Sequence, residues 1–270
     1  MTLAKHRHLR VRILVKAFPQ PSKTHEETVC CAGITEDGQQ LLRLFPIRFR
    51  RLSKPQQFER FDLVGMTATK ASDPRPESFR VDEASIERLE PGDKLSAEAR
   101  VRLWQPFIAP SLKQLHVDNR ATNRSLGIVR PDPGSLRFFY KPAKDADEAD
   151  RAVSDQVLQV QQQSSFLEDP LTPLEPPEYA FGYRYTSGGN PHEHQIHDWE
   201  VQEAYRQYKR RYGDDALDHL RRMYNDTIPA QNLHFIMGTM AAHPRTFIAI
   251  GLLRSPLDPA ELAKQGALSF

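Results

Sequence analysis

Alternation of apolar and polar residues dominates the start of the chain. Leu9–Ala17 and Thr28–Ile34 alternate with a period of two, and Gln40–Ile47 follows across Glu36-Asp37-Gly38. That period belongs to strands with one buried face, and Asp-Gly between two such runs marks a hairpin. The three segments predict an antiparallel meander. Asp62–Ala71 predicts a fourth strand and Ser78–Val81 a fifth. Glu83–Leu89 reads as a short helix closed by Pro91-Gly92, and Ser96–Leu103 as another, capped by Ser96. Five short strands with a helix suit a small barrel of the oligonucleotide-binding (OB) type, and other small barrels nearly as well.

Further on, Ser125–Val129 and Leu136–Tyr140 are short strand candidates flanking the turn Arg130-Pro131-Asp132-Pro133-Gly134. Lys144–Gln163 is polar and compatible with a helix. Glu168–Glu178 holds Pro170, Pro173, Pro176 and Pro177 and reads as a semi-rigid linker or a long surface loop. Tyr179–Tyr185 predicts an aromatic strand. Asp198–Tyr212 predicts a helix with Val201, Tyr205, Tyr208 and Tyr212 on one stripe, stopped by Gly213. A second helix, capped by Asp214, carries Leu217, Leu220 and Tyr224. Leu233–Met237 and Thr246–Leu253 read as buried strands. The expected fold class is therefore α+β, with two small antiparallel β-barrels and inserted helices. The expected division is 1–142 for a basic N-terminal barrel, 143–178 for a helix and Pro-rich linker, and 179–270 for a C-terminal α+β unit with the second barrel.

Charge sharpens this picture. Met1–Pro142 holds 25 Lys+Arg against 16 Asp+Glu, a net of +9, whereas Ala143–Phe270 holds 12 against 19, a net of −7. The overall +2 hides a basic half and an acidic half. With 39% apolar residues, 14 Phe and 8 Tyr, the chain can build cores. No signal-peptide pattern or membrane-length apolar run is seen, and the expected location is the cytoplasm, with no membrane partner. Cys30 and Cys31 are adjacent, and neighbours on a strand point to opposite faces, so no disulfide is expected between them.

Two clusters carry candidate chemistry. Arg48-Phe49-Arg50-Arg51 with Lys54 and Arg60 interleaves cations and rings, as a surface that tracks phosphates and stacks bases would. A barrel rim with Phe inward and Arg outward looks the same. Tyr140 is a further candidate for stacking. Four to six phosphate contacts on a single strand predict a log–log salt slope of roughly −3 to −4. The second cluster, His192, His194, His197, Asp198 and Glu200, has the imidazoles and carboxylates of a zinc, manganese or iron site, if three or four converge. Its ordinary alternative is a capped helix start, with Asp198 as cap and Glu200 in the first turn. Gly-rich phosphate loops and Gly-x-Ser-x-Gly elbows are absent from the sequence, and no complete catalytic motif stands in their place.

Taken together, Lys16-Ala-Phe-Pro, Glu27-Thr-Val-Cys-Cys-Ala-Gly-Ile, Leu42-Arg-Leu-Phe-Pro-Ile-Arg-Phe-Arg, Ser125-Leu-Gly-Ile-Val-Arg-Pro, His197-Asp-Trp-Glu and Leu233-His-Phe-Ile-Met-Gly-Thr resemble a little-characterised prokaryotic group with a dual OB-fold domain. The resemblance spans about Val15 to Pro256. It implies two barrels, nucleic-acid binding and an association with defence systems, and it transfers no catalytic residue. Where the group carries cysteines ahead of Asp-Trp-Glu, this chain has Thr186-Ser-Gly-Gly-Asn-Pro-His, so a thiolate metal site is not implied here. The leading expectation is a non-catalytic module for single-stranded DNA or RNA, without a cofactor. Its rivals are a metal-dependent nuclease or hydrolase at His192–Glu200, and an adaptor whose acidic half docks a protein.

Overall fold

The computed structural model describes residues 6–22, 26–143, 177–260 and 262. Both Lys144–Gln163 and most of Glu168–Glu178 therefore lie outside the described residues.

Strands β1 (Arg7–Lys16), β2 (Gln20–Ser22), β3 (Glu26–Thr35), β4 (Leu41–Ile47), β5 (Leu63–Lys70) and β6 (Ser78–Glu90) form one sheet. Five of them close on themselves in the order β1-β5-β6-β4-β3-β1, with β2 added beside β3. Every pairing in this ring is antiparallel except β4 with β6. Alternation dictates the interior, where Ile13, Cys31, Leu44, Val64, Met66 and Phe79 are buried together. Cys30 lies on the other face, and both cysteines are free.

Glu83–Leu89 corrects the sequence reading, because it is no helix but the second part of the thirteen-residue β6. Its backbone pairs with Leu63–Gly65 of β5 beyond a register shift, and Ile86 enters the ring core. Helical propensity there is a weak preference that tertiary pairing overrides.

After β6 come α1 (Ala97–Trp104), the short β7 (Ile108–Ala109), α2 (Leu112–Thr122), β8 (Leu126–Val129) and β9 (Arg137–Pro142). Ser96 caps α1 as expected, accepting a hydrogen bond from Ala99 N–H at 3.1 Å. Beyond residue 177 follow β10 (Tyr179–Ser187), β11 (Asn190–Gln195), α3 (Trp199–Tyr212), α4 (Ala216–Arg222), β12 (His234–Thr239) and β13 (Phe247–Leu253). They form a three-stranded sheet, β11-β10-β9, and a four-stranded sheet, β13-β12-β8-β7. A parallel bridge between Ile196 and Ala249 joins the two sheets, with His197 N–H donating to the Ala249 carbonyl at 2.8 Å. The described residues from 179 onward thus do not build a second sheet system alone. Strands β8 and β9, placed by the sequence reading in the N-terminal unit, pair with β12 and β10, and the short β7 pairs with β8.

Two cores are local and one is shared. Phe138, Phe181, Tyr183, Val201, Leu220 and Phe235 fill the second half. The shared core sets Leu14, Ala32 and Ile34 of the ring against Ile128, Ile236 and Ile250, with Trp104 between. Packing there is so close that a Cβ on Gly251 would run into the Val15 side chain. Among the described residues no helix is long and apolar enough to cross a membrane.

Candidate nucleic-acid interface

The segment between β4 and β5 was expected to track phosphates, yet most of its side chains face inward to partners. Arg48 Nε lies 2.8 Å from Glu83 Oε2, and Arg50 Nη1 lies 2.9 Å from Glu27 Oε2. Phe49 is half-buried, edge-on to Phe58 and Trp199 at 5.1 and 5.7 Å, with Lys16 Nζ 4.1 Å from its ring centre. Lys16 also donates to the Phe58 carbonyl at 2.8 Å, and burial lowers its pKa. Phe49 is therefore part of the packing and not a stacking platform. Arg51 is half-buried in the turn Phe49–Arg51, and Lys54 is exposed at the next turn.

Arg60 departs furthest from its expected role. Its guanidinium donates to the Leu252 carbonyl at 2.5 Å and to Asp198 Oδ2 at 3.1 Å, and it pairs with Glu200 at 3.0 Å. Asp198 accepts in addition from Leu252 N–H at 3.1 Å and Glu200 N–H at 3.0 Å, as the cap of α3. Burial raises the Asp198 carboxyl above its usual range, while Arg60 pulls it down and Glu200 adds to the rise. Arg60 is a clamp between the halves, with both terminal nitrogens of its guanidinium committed there.

The histidine segment does not assemble a metal centre. Asp198 and Glu200 are committed to Arg60 and the helix start, as the ordinary reading had it. His192 and His194 stand on one face of β11, opposite Tyr185 and Tyr183 of β10. Tyr185 Oη is 3.2 Å from His194 Nδ1, and burial lowers the His194 pKa to about 4. His197 sits at the junction, where its carbonyl accepts from Phe18 N–H at 2.7 Å. Among the described residues no group of three or more His, Cys, Asp or Glu is placed to hold a metal ion.

The surface that does combine cations with a ring lies on β9-β10-β11, and sequence reasoning missed it. Along β9, Phe138 is buried, so Arg137, Phe139 and Lys141 share the opposite face. Their partners on β10 are Arg184, Gly182 and Ala180. A Cβ on Gly182 would strike the Phe139 ring and the His194 carbonyl oxygen, so Phe139 lies across the glycine, with the Arg184 guanidinium 5.1 Å from its ring centre. Arg184 pairs with Glu193 at 2.7 Å, but with side chains 65% and 48% exposed the pair is worth at most about 1 kcal/mol and can exchange for a phosphate. Tyr140, the predicted stacking residue, stands on the other face, edge-on to Tyr179 at 5.7 Å and 37% exposed. Alternation along Arg137-Phe-Phe-Tyr-Lys carried the signal, since it puts Phe139 with the two cations and Tyr140 with Phe138.

Comparison with curated proteins finds no match. Two family models cover nearly all of the chain, one over residues 7–106 (DUF8758, a domain of unknown function) and one over residues 109–268 (DUF8757, likewise of unknown function). Their border falls just ahead of β7, where strand pairing also passes from the ring to the second half. Since the latter model spans more than half of its length, the chain belongs to the DUF8757 family.

Proposed function

We propose that the protein is a non-catalytic nucleic-acid-binding module that lays a single strand across the outward face of β9-β10-β11. The ring supports this through its connections. Taken in chain order as strands one to five, β1, β3, β4, β5 and β6 close as one-two-three-five-four, with the three–five pair parallel. The second half repeats that order when β8 and β9 count as one interrupted strand. Then β9 pairs with β10, β10 with β11, β11 meets β13 in parallel, β13 pairs with β12, and β12 returns to β8. A five-stranded, partly open Greek-key barrel of this kind is the OB fold, whose second and third strands present the face that takes oligonucleotides or oligosaccharides.

The observation that carries the reading is what stands on and beside that face in the second half: Arg184 on the second strand, with Phe139, Arg137 and Lys141 next to it on the first. A ring flanked by cations supplies stacking and phosphate neutralisation together, which favours a nucleic acid over an uncharged sugar. Fluorescence anisotropy with labelled single-stranded DNA, single-stranded RNA and duplex tests it, with Phe139→Ala alongside. Stacking is worth about 1–3 kcal/mol per base, so the variant should bind roughly 5- to 150-fold more weakly. Equal binding by wild type and variant, with the variant still folded, would remove this face from consideration.

A further inference from the structure

The two halves repeat a strand order, yet they do not present the same surface. On the first ring the outward residues of β1, β3 and β4 include Leu14, Val15, Ala32, Ile34 and Leu41, and all are buried in the shared core. Arg43, also outward on β4, is buried and donates to the carbonyl and hydroxyl of Ser125 at 3.1 Å each. Glu77 accepts from Ser125 N–H in turn, and Arg75 donates to the Thr239 carbonyl at 3.0 Å. The surface covering them is β8, β12 and β13 of the second half. The corresponding face of the second half, on β9-β10-β11, keeps Arg137, Lys141 and Arg184 exposed.

We infer that the described residues carry one strand-binding face only, on β9-β10-β11, and that the first ring is a scaffold whose equivalent face is consumed in holding the two halves together. This rests on the nucleic-acid reading above and fixes its stoichiometry and footprint. The ligand is a short single-stranded segment, one per chain. Three strands and the five residues from Arg137 to Lys141 give a face of about 10 by 13 Å, which sits at the low end of the ~4–16 nucleotides known per barrel. Three cations in contact give a log–log salt slope of about −2, shallower than the −3 to −4 expected had the segment after β4 joined in.

Titration of the full-length protein with fluorescein-labelled oligothymidylates of increasing length, at several salt concentrations, reads all three quantities. The expected result is one oligonucleotide per chain, affinity that levels off once the oligomer spans one barrel, and a slope near −2. Arg7→Ala/Arg80→Ala, which removes exposed cations of the first ring, should change affinity less than twofold, while Arg137→Ala/Arg184→Ala should weaken it at least tenfold. Two oligonucleotides per chain, a slope of −3 or steeper, or a fivefold loss in the first-ring variant would overturn the inference while leaving nucleic-acid binding intact. No binding by wild type to this probe or to the equivalent oligouridylates, under any salt condition, would instead overturn the nucleic-acid reading and this inference with it.

Discussion

Arg60 directs its guanidinium at Asp198, Glu200 and the Leu252 carbonyl, in two separate elements of the second half. Removing it strands a buried carboxylate, and breaking a buried pair from one side costs about 3–5 kcal/mol. Arg60→Ala should lower stability by that amount in urea unfolding, and Arg60→Lys should recover little, since an ammonium lacks the planar fork. A loss below about 1 kcal/mol would show that the clamp contributes nothing. In the sequence this arginine is one more cation in a basic run, because its partner Asp198 stands 138 residues away. Charge is legible in sequence, whereas the distant partner that uses it is not. His234 makes a second residue-scale case. Its ring is fully buried against Trp104, and burial lowers its pKa to about 4, below the ordinary 6.5. The unfolded chain therefore takes up this proton first, so the stabilisation is complete above pH 6.5 and disappears as pH falls towards 4. Urea midpoints measured across that window should fall less steeply in His234→Phe, by close to one proton's worth of slope. An unchanged slope would mean that His234 does not titrate in this way.

At the scale of elements, period-two alternation located most strands to within a residue or two. The ladder Arg7–Lys16, Glu26–Thr35 and Leu41–Ile47 matches the three runs read from sequence. What alternation leaves open is parity, meaning which of the two faces turns inward. Tyr140 and Phe139 are adjacent aromatics on β9, and only the pairing of Phe138 with Tyr183 decides that Phe139 goes outward. Tyr140→Ala should accordingly change oligonucleotide affinity less than twofold, against the large loss set out for Phe139→Ala. Reversed effects in the same anisotropy assay would refute the register argument. Gly182 belongs to the same scale, since the aromatic lies where its side chain would be. Gly182→Ala should destabilise the protein by about 1–3 kcal/mol in urea unfolding, because the carbonyl of His194 as well as a ring stands in the way.

For the whole molecule, the charge split suggested a border at residue 142, while strand pairing puts it ahead of β7. Charge reports on surfaces, and neither the uncharged β8 nor the two cations of β9 reveal where the backbone hydrogen bonds of these strands go. With a shared core, buried arginines and the Arg60 clamp at the junction, the two halves should unfold as one unit. The two tryptophans report on it from different places, Trp104 in the shared core and Trp199 beside Phe49. Within each single-tryptophan variant, fluorescence and far-UV circular dichroism should give coincident denaturation curves, and curves that separate would show independent halves. The shared core also has a consequence on the ribosome. The ring is complete once β6 has been made, but β13, which covers Leu14 and its neighbours, ends about 160 residues later. At roughly 5–20 residues per second, an apolar face waits some 8 to 32 s for its cover during synthesis. Nascent chains paused in that interval are the form of this protein that chaperones would hold most firmly.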